Sequence, residues 1–230
     1  MHPLDNVIWH ALTTRQTHFA EGSGGARRFL REVSPLAAFQ NDVHGSDGYA
    51  SLSELLGPRE TAGVFLDEPY QPRAGWNYVA GAPLLQMIWG NGKALAHRDE
   101  STPKIEELGD EDSSEMIDLT ALTKPGPFGS RTHEFGKYLG IRIDGKLVAM
   151  AGERLKVPGH TEVSAVCTHP DYTGKGYAGT LMTAVMQSIR ERGEIPFLHV
   201  RQDNTRAIEV YERLGFRERK LGHFAVLRKE

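Results

Sequence analysis

The segment CTHPDYTGKGYAGTLMTAVMQSIRERG, Cys167 to Gly193, sets Gly174, Lys175, Gly176 and Gly179 at the mouth of a helical pattern. Glycine inside a helix costs roughly 1 kcal/mol relative to alanine, so glycines there imply a demand on the backbone. Three demands qualify: a tight turn, close packing, or an anion held by exposed N–H groups at a helix N-terminus. The preceding TEVSAVCT (161–168) reads as a strand, and a strand delivering a glycine-rich turn to a helix start suits a phosphorylated ligand. A P-loop is excluded, because no Ser or Thr follows Lys175. GKGYAG (174–179) fits the dinucleotide pattern G-x-G-x-x-G, but an antiparallel meander precedes it and no acidic residue ends the next strand.

Other side chains carry potential chemistry. NTRAIEVYERLG places Ala207, Tyr211 and Leu214 on one helical face, where Tyr211 is either a core residue or an acid aimed at the sheet. Glu162, near the start of TEVSAVCT, is a candidate base for an ammonium if burial raises its pKa, with Glu153 and Glu134 as competitors. For each of these carboxylates the alternative is an ordinary surface residue. Cys167 has no partnered histidine and reads as a small buried strand residue. His160 and His169 flank the strand without metal-site spacing, so no metal is expected.

The elements that must position these groups are clearest from Tyr138 onward. YLGIRI and KLVAMAGERL flank Asp144-Gly145, a hairpin signature, and TEVSAVCT is the third strand. A helix follows from about Gly176 to Arg192, with Leu181, Val185 and Ile189 in register and Gly193 as its stop. PFLHVR is a fourth strand, Asn204 caps the next helix, and FRERKLGHFAVLRK closes as a strand pair. Together these predict a mixed, open α/β sheet with flanking helices.

The first half reads as helical and irregular. VIWHALTTRQTHFA aligns Ile8, Leu12 and Phe19, and ARRFLREV resumes the helix after a GSGG loop (22–25). SLSELL is a short helix, TAGVFLD a strand, and APLLQMIWGNGKAL a strand ending in an Asn-Gly turn. The acidic run GDEDSSEM offers capping groups for a helix start.

The 230 residues, 39% hydrophobic and 25% charged, supply an ordinary globular core, and a net charge of −3 gives no reason to expect nucleic acid or an anionic membrane as partner. One cysteine precludes an intrachain disulfide, and neither a signal peptide nor an apolar membrane run is evident, so a cytoplasmic location is expected.

HPDYTGKGYAGTLM followed by DNTRAIEVYERLGF resembles the acetyl-CoA-binding core of the GNAT superfamily of N-acetyltransferases, over roughly residues 115–230. The likeness is greatest to the glycine N-acyltransferase-like branch. It implies a GNAT domain over 111–230, preceded by a region 1–110 that is a degenerate copy of the fold or an acceptor-site domain. It also implies acetyl-CoA as co-substrate and an amine as acceptor, in a monomer or homodimer. The pyrophosphate-wrapping consensus falls on Thr173, Gly174, Lys175, Gly176, Tyr177 and Ala178, continuing to Gly179 and Thr180; Thr173 stands where arginine or glutamine is usual. Pantetheine would pair with Val166, Cys167 and Thr168 like an added strand, Val166 and Thr168 sharing a face, with the Thr168 N–H as oxyanion donor. Tyr211, within A-x-x-x-Y-x-x-x-G-F, would protonate the CoA sulfur, and Asn204 and Ala207 would contact CoA. Glu162, eleven positions before Thr173, would be the base. Trp76, Tyr78 and Trp89 are either acceptor-site or core aromatics. The alternative to an enzyme is an acyl-CoA sensor that retains the phosphate loop; a nucleotide-binding regulatory domain is the third.

Overall fold

Asp144 and Gly145 both take positive φ, +50° and +78°, and so reverse the chain in the tight turn that their sequence predicts. The computed structural model, which describes residues 2–40, 48–90 and 103–230, builds outward from this hairpin. Its arms are β7 (Tyr138–Ile143) and β8 (Lys146–Val157), and β9 (His160–Thr168) pairs antiparallel with β8. Helix α4 (Tyr177–Glu191) then returns the chain to β10 (Ile195–Arg201), which lies parallel to β9. Helix α5 (Thr205–Arg213) and β11 (Phe216–Lys229) follow.

The preceding residues carry α1 (Val7–Thr13), β1 (Ala20–Glu21), β2 (Ala26–Phe29), β3 (Ala37–Phe39) and α2 (Gly48–Leu55). Next come β4 (Thr61–Leu66), β5 (Trp76–Trp89), β6 (Ile105–Leu108) and α3 (Ser113–Thr123). Strands β1 to β3 form a small antiparallel sheet, and the remaining eight form one mixed sheet ordered β4-β11-β5-β10-β9-β8-β7-β6. Strand β5, from the first half of the chain, is thus inserted between β10 and β11.

Helix α4 buries Leu181, Met182, Val185, Met186 and Ile189 against Leu139, Ile141, Ala149, Ala151, Val163, Leu198 and Val200. The opposite face is covered by α3, through Met116 and Leu119, and by α1, whose Ile8 and Leu12 share a cluster with Leu155, Val157 and Phe197. Asp112 accepts a hydrogen bond from the Gly109 N–H at 2.9 Å, so the acidic run does start a helix.

Four expectations need correction. ARRF is β2, not a helix, because Gly22 (φ +100°) and Gly24 (φ +62°) turn the chain into a hairpin with β1 and Ala26 and Phe29 are buried from the strand. The first half is therefore rich in strands rather than helical. The acidic stretch conceals β6, which among the described residues is an edge strand paired with β7. The last segment is one 14-residue strand, not a pair. Its Gly222 permits close approach: a Cβ there would sit 3.0 Å from the Leu66 carbonyl oxygen. The Asn-Gly turn at 91–92 lies outside the described residues.

Candidate active site

Strands β9 and β10 pair only where residues 160–162 meet 195–197. Beyond Glu162 and Phe197 they part: β10 remains bonded to β5 through Arg201, while β9 remains with β8 through Thr168. The cause lies in β9. Between the pairs Gly152–Ser164 and Met150–Cys167, Ala165 and Val166 together oppose Ala151, a bulge in which Ala165 takes φ +52°. A bulge bends its strand and increases twist, and a non-glycine residue at positive φ is a costly conformation that concentrates at functional sites.

Beyond the bulge the ladder resumes, and the His169 N–H donates to the Val148 carbonyl at 2.8 Å. Peptide groups alternate sides along an antiparallel ladder, so those of Thr168 face the gap left by β10. Val166 is half-buried against the α4 core, while Cys167 is buried on the α3 face. Burial pushes the Cys167 thiol up to about 11, so it is no nucleophile at neutral pH.

Gly174 and Gly176 sit at φ +80° and +78°, and a Cβ added at either meets no atom within 4 Å. The loop therefore needs glycine for backbone conformation, not for packing. Gly176 caps the 15-residue α4 without a side-chain bond. The first N–H groups of this helix, from Tyr177, Ala178 and Gly179, are the orphan donors of a long helix dipole. Tyr177 is buried and anchors the start of the helix, and space is open around Gly179. The Thr173 hydroxyl turns back to donate to the Pro170 carbonyl (3.0 Å), Thr180 donates to the Gly176 carbonyl (3.3 Å), and Lys175 Nζ lies 5.2 Å over the Tyr172 ring.

Asn204 Oδ1 accepts the Ala207 N–H at 3.2 Å, so Asn204 caps α5. Ala207, Ile208, Tyr211 and Leu214 pack from α5 onto the same cluster as Val166, Tyr172 and Tyr177. Loop, diverging strand and tyrosine thus share one face of the sheet. Tyr211 is half-buried with its ring edge-on to Phe216, centroids 6.2 Å apart, and burial pushes its phenol up to about 12. It is a neutral proton donor across the physiological range.

Glu162 departs from its expected place. Its side chain is fully buried, and it accepts from Arg154 Nε (2.8 Å) and Nη2 (2.7 Å), from the Leu155 N–H (3.3 Å) and from His199 Nδ1 (2.6 Å). Burial alone would raise its pKa; the charge and hydrogen bonds of Arg154, with His199, hold it down at about 2. A carboxylate so engaged is an ion-pair anchor and not the free base expected from its strand position. Neither competitor replaces it. Glu153 is buried and paired with Lys156 (2.9 Å) and Arg192 (2.7 Å), and Glu134 forms a two-pronged surface pair with Arg131.

The aromatic residues divide. Trp76 and Tyr78 border an open cleft of about 560 Å³ with Tyr70 and Phe224, while Trp89 lies elsewhere, its Nε1–H donating to the Leu214 carbonyl at 3.2 Å. Among the described residues no group of three or more His, Cys, Asp or Glu side chains could hold a metal ion, and no helix is long and apolar enough to cross a membrane.

Sequence reasoning missed His199, Gln86 and Arg219, which continue the polar contacts of Glu162. For His199 and Gln86 the local signal is a polar side chain inside an otherwise apolar strand, PFLHV and LLQMI; Arg219, in the polar run FRERK, carries none.

Comparison with known proteins agrees with this architecture. Residues 138–224 match the model of the FR47-like protein family. A 60-residue stretch is 43% identical to mycothiol acetyltransferase of Corynebacterium aurimucosum, covering 26% of this chain and 20% of that protein. An 82-residue stretch is 35% identical to N-alpha-acetyltransferase RimI of Mycobacterium tuberculosis, covering 34% and 51% respectively. The chain thus spans about a fifth and about half of the length of these two curated relatives. A solved structure from Novosphingobium aromaticivorans, assigned as a GNAT-family acetyltransferase, superposes over 100% of both chains with TM-score 0.90 and 39% identity. With likeness of that extent in both sequence and fold, the chain belongs to the GNAT family of acetyltransferases.

Proposed function

We propose that this protein transfers the acetyl group of acetyl-CoA to a primary amine, carried by a small molecule, an amino acid or a protein N-terminus. The observation that carries the reading is the gap between β9 and β10, which leaves the Thr168 peptide groups facing open space on the path from the phosphate loop. Pantetheine, an extended chain with amide donors and acceptors, pairs there as a strand would. The N–H groups at the start of α4 hold the pyrophosphate, and Lys175 adds positive charge. The Thr168 N–H stabilises the oxyanion as charge develops on the thioester oxygen. Tyr211 gives its proton to the departing sulfur. The acetyltransferase names of two partial relatives support the same chemistry. Within the family we place the chain in the glycine N-acyltransferase-like branch, on the strength of its two motifs and their spacing, and in the cytoplasm. Retention of a neutral, half-buried Tyr211 favours turnover over a sensor role.

The test is incubation with acetyl-CoA and a panel of primary amines, with products identified by mass spectrometry. Acetylated product from one amine class supports the proposal and names the acceptor; acetyl-CoA binding without any product returns the sensor reading. The loop is tested separately. Gly176→Val forces a β-branched residue to φ +78°, a strain of about 1–3 kcal/mol. Calorimetry should show CoA affinity reduced about tenfold or more, with the fold retained. Unchanged affinity would remove the loop from the site.

A further inference from the structure

A row of hydrogen-bonded side chains crosses the sheet where β9 and β10 part, one from each of five adjacent strands. Arg154 of β8 donates to Glu162 of β9, which accepts from His199 of β10. His199 Nε2 lies 3.0 Å from the Gln86 amide nitrogen of β5, and the Gln86 amide oxygen accepts from Arg219 of β11 at 2.7 Å. Arg219 also pairs with Asp5, ahead of α1. Both arginines occupy register irregularities, between Glu153 and Lys156 and between Glu218 and Lys220, which turn them onto this face.

The row fixes the state of its histidine. Gln86 accepts from Arg219 through its oxygen, so its NH₂ group donates to the Leu4 carbonyl (3.0 Å) and to His199 Nε2. Nε2 is then the acceptor and Nδ1 carries the hydrogen to Glu162, an assignment made from the network. An imidazole oriented by a carboxylate, with its other nitrogen holding a lone pair, is the arrangement of a general base.

Its position suits the reaction. Glu162 is the last residue of β9 paired with β10, and His199 lies two residues past the last paired residue of β10, Phe197. His199 projects onto the face opposite Tyr211, with Phe65 and Phe197 beside its ring. There it borders a cavity of about 40 Å³ shared with Gln86, Asp5, Asp67, Leu84 and His223. A water needs roughly 10–15 Å³ on this measure, so an ammonium head fits. Asp5 and Asp67 also line it, each already paired with a cation, Arg219 and Lys220 (2.7 Å for the latter), so an entering ammonium would share these carboxylates with them.

We propose that His199 is the base of the acetyl transfer, taking through Nε2 the proton of an acceptor ammonium that enters by this cavity. Glu162 is its positioning residue. The inference rests on the N-acetyltransferase reading above. The acceptor ammonium gives one proton to Nε2, displacing the Gln86 amide, which keeps its bond to Leu4. The freed nitrogen attacks the thioester carbonyl, the C–N bond forms and the C–S bond breaks. The sulfur takes the Tyr211 proton, the second proton of the nitrogen restores Tyr211, and His199 releases its proton to solvent. The products are an amide, free CoA and one proton.

The charged and titratable groups facing His199 are Glu162 and Arg154 from β9 and β8, Arg219, Lys220 and His223 from β11, Asp5 before α1, and Asp67 after β4. The test compares wild type and His199→Gln with acetyl-CoA and glycinamide, an alanine-led tripeptide, putrescine and phenylethylamine as acceptors. The expected result is kcat lower by about 10²-fold or more in the variant. The fall of kcat/KM toward acid pH should flatten, and acetyl-CoA affinity by calorimetry should hold. A variant within threefold of wild type, with the same pH profile, overturns the role of His199 while leaving the acetyltransferase reading intact. A wild type that acetylates none of the four removes that reading and this inference with it. If His199→Gln does not fold, Asp67→Lys serves, since that side chain is 64% exposed. KM for the amine should then rise several-fold at constant acetyl-CoA affinity, and an unchanged KM overturns the cavity as the amine's entry.

Discussion

Tyr211→Phe is expected to lower kcat for acetyl transfer by about 10²–10⁴-fold, the usual contribution of a positioned proton donor, and to leave acetyl-CoA affinity unchanged. The substitution removes one oxygen and keeps the ring, whose packing on Phe216 and the α5 stripe holds the helix to the sheet. Stability and cofactor binding are therefore spared, while the departing thiolate loses its proton source. Some turnover should persist, because the proposed phosphate loop and the gap between β9 and β10 would still align the thioester. The pH dependence follows the same logic. With its pKa pushed up to about 12 by burial, the phenol stays protonated through the accessible alkaline range. No alkaline limb from Tyr211 should appear in the wild-type profile below about pH 11. Equal kcat in wild type and variant, measured by product formation at saturating acetyl-CoA, would remove Tyr211 from the chemistry.

Glu162→Gln is expected to destabilise the fold by about 3–5 kcal/mol and, because Glu162 orients His199, to slow turnover as well. The destabilisation is the cost of stranding a buried charge, here the guanidinium of Arg154, only 12% exposed. Glutamine has nearly the shape of glutamate, so the loss reports charge and hydrogen bonding rather than packing. Adding Arg154→Met should recover part of the loss, because the stranded charge is gone; a double-mutant cycle in urea measures the coupling. Acid acts in the same direction. The folded pKa of Glu162 lies near 2, below the ordinary value of 4.5, so its contribution is present above pH 4.5 and is lost as pH falls from there toward 2. Wild type should lose that increment over this window and the variant should not. If Glu162 were instead a free base, the substitution would slow turnover without moving the urea midpoint.

Residues close in sequence made half of this architecture legible. The hairpin at Asp144-Gly145, the apolar stripe of α4 and the cap at Asn204 are local features, each set within a few residues. The glycines of the loop were equally readable, because positive φ is a demand that falls on the residue itself. Strand β2 was not, since ARRF carries its buried residues at i and i+3 and only the pairing with β1 and β3 makes it extended. Nor could sequence show that β5 is inserted between two strands more than a hundred residues later. Glu162 shows the same limit at the site. From its strand alone it reads as a cleft carboxylate, but its state is set by Arg154, eight residues away, and His199, 37 away. The arginine that completes the row lies 133 residues from its glutamine partner.

We propose the gap between β9 and β10, loaded from the glycine loop before α4, as the site of acyl transfer to an amine. Continuous measurement of free thiol released from acetyl-CoA, with and without amine, tests it most directly. Release should rise with the concentration of one amine class, saturate, and be matched mole for mole by acetylated product. Tight acetyl-CoA binding with thiol release that no amine accelerates would contradict it.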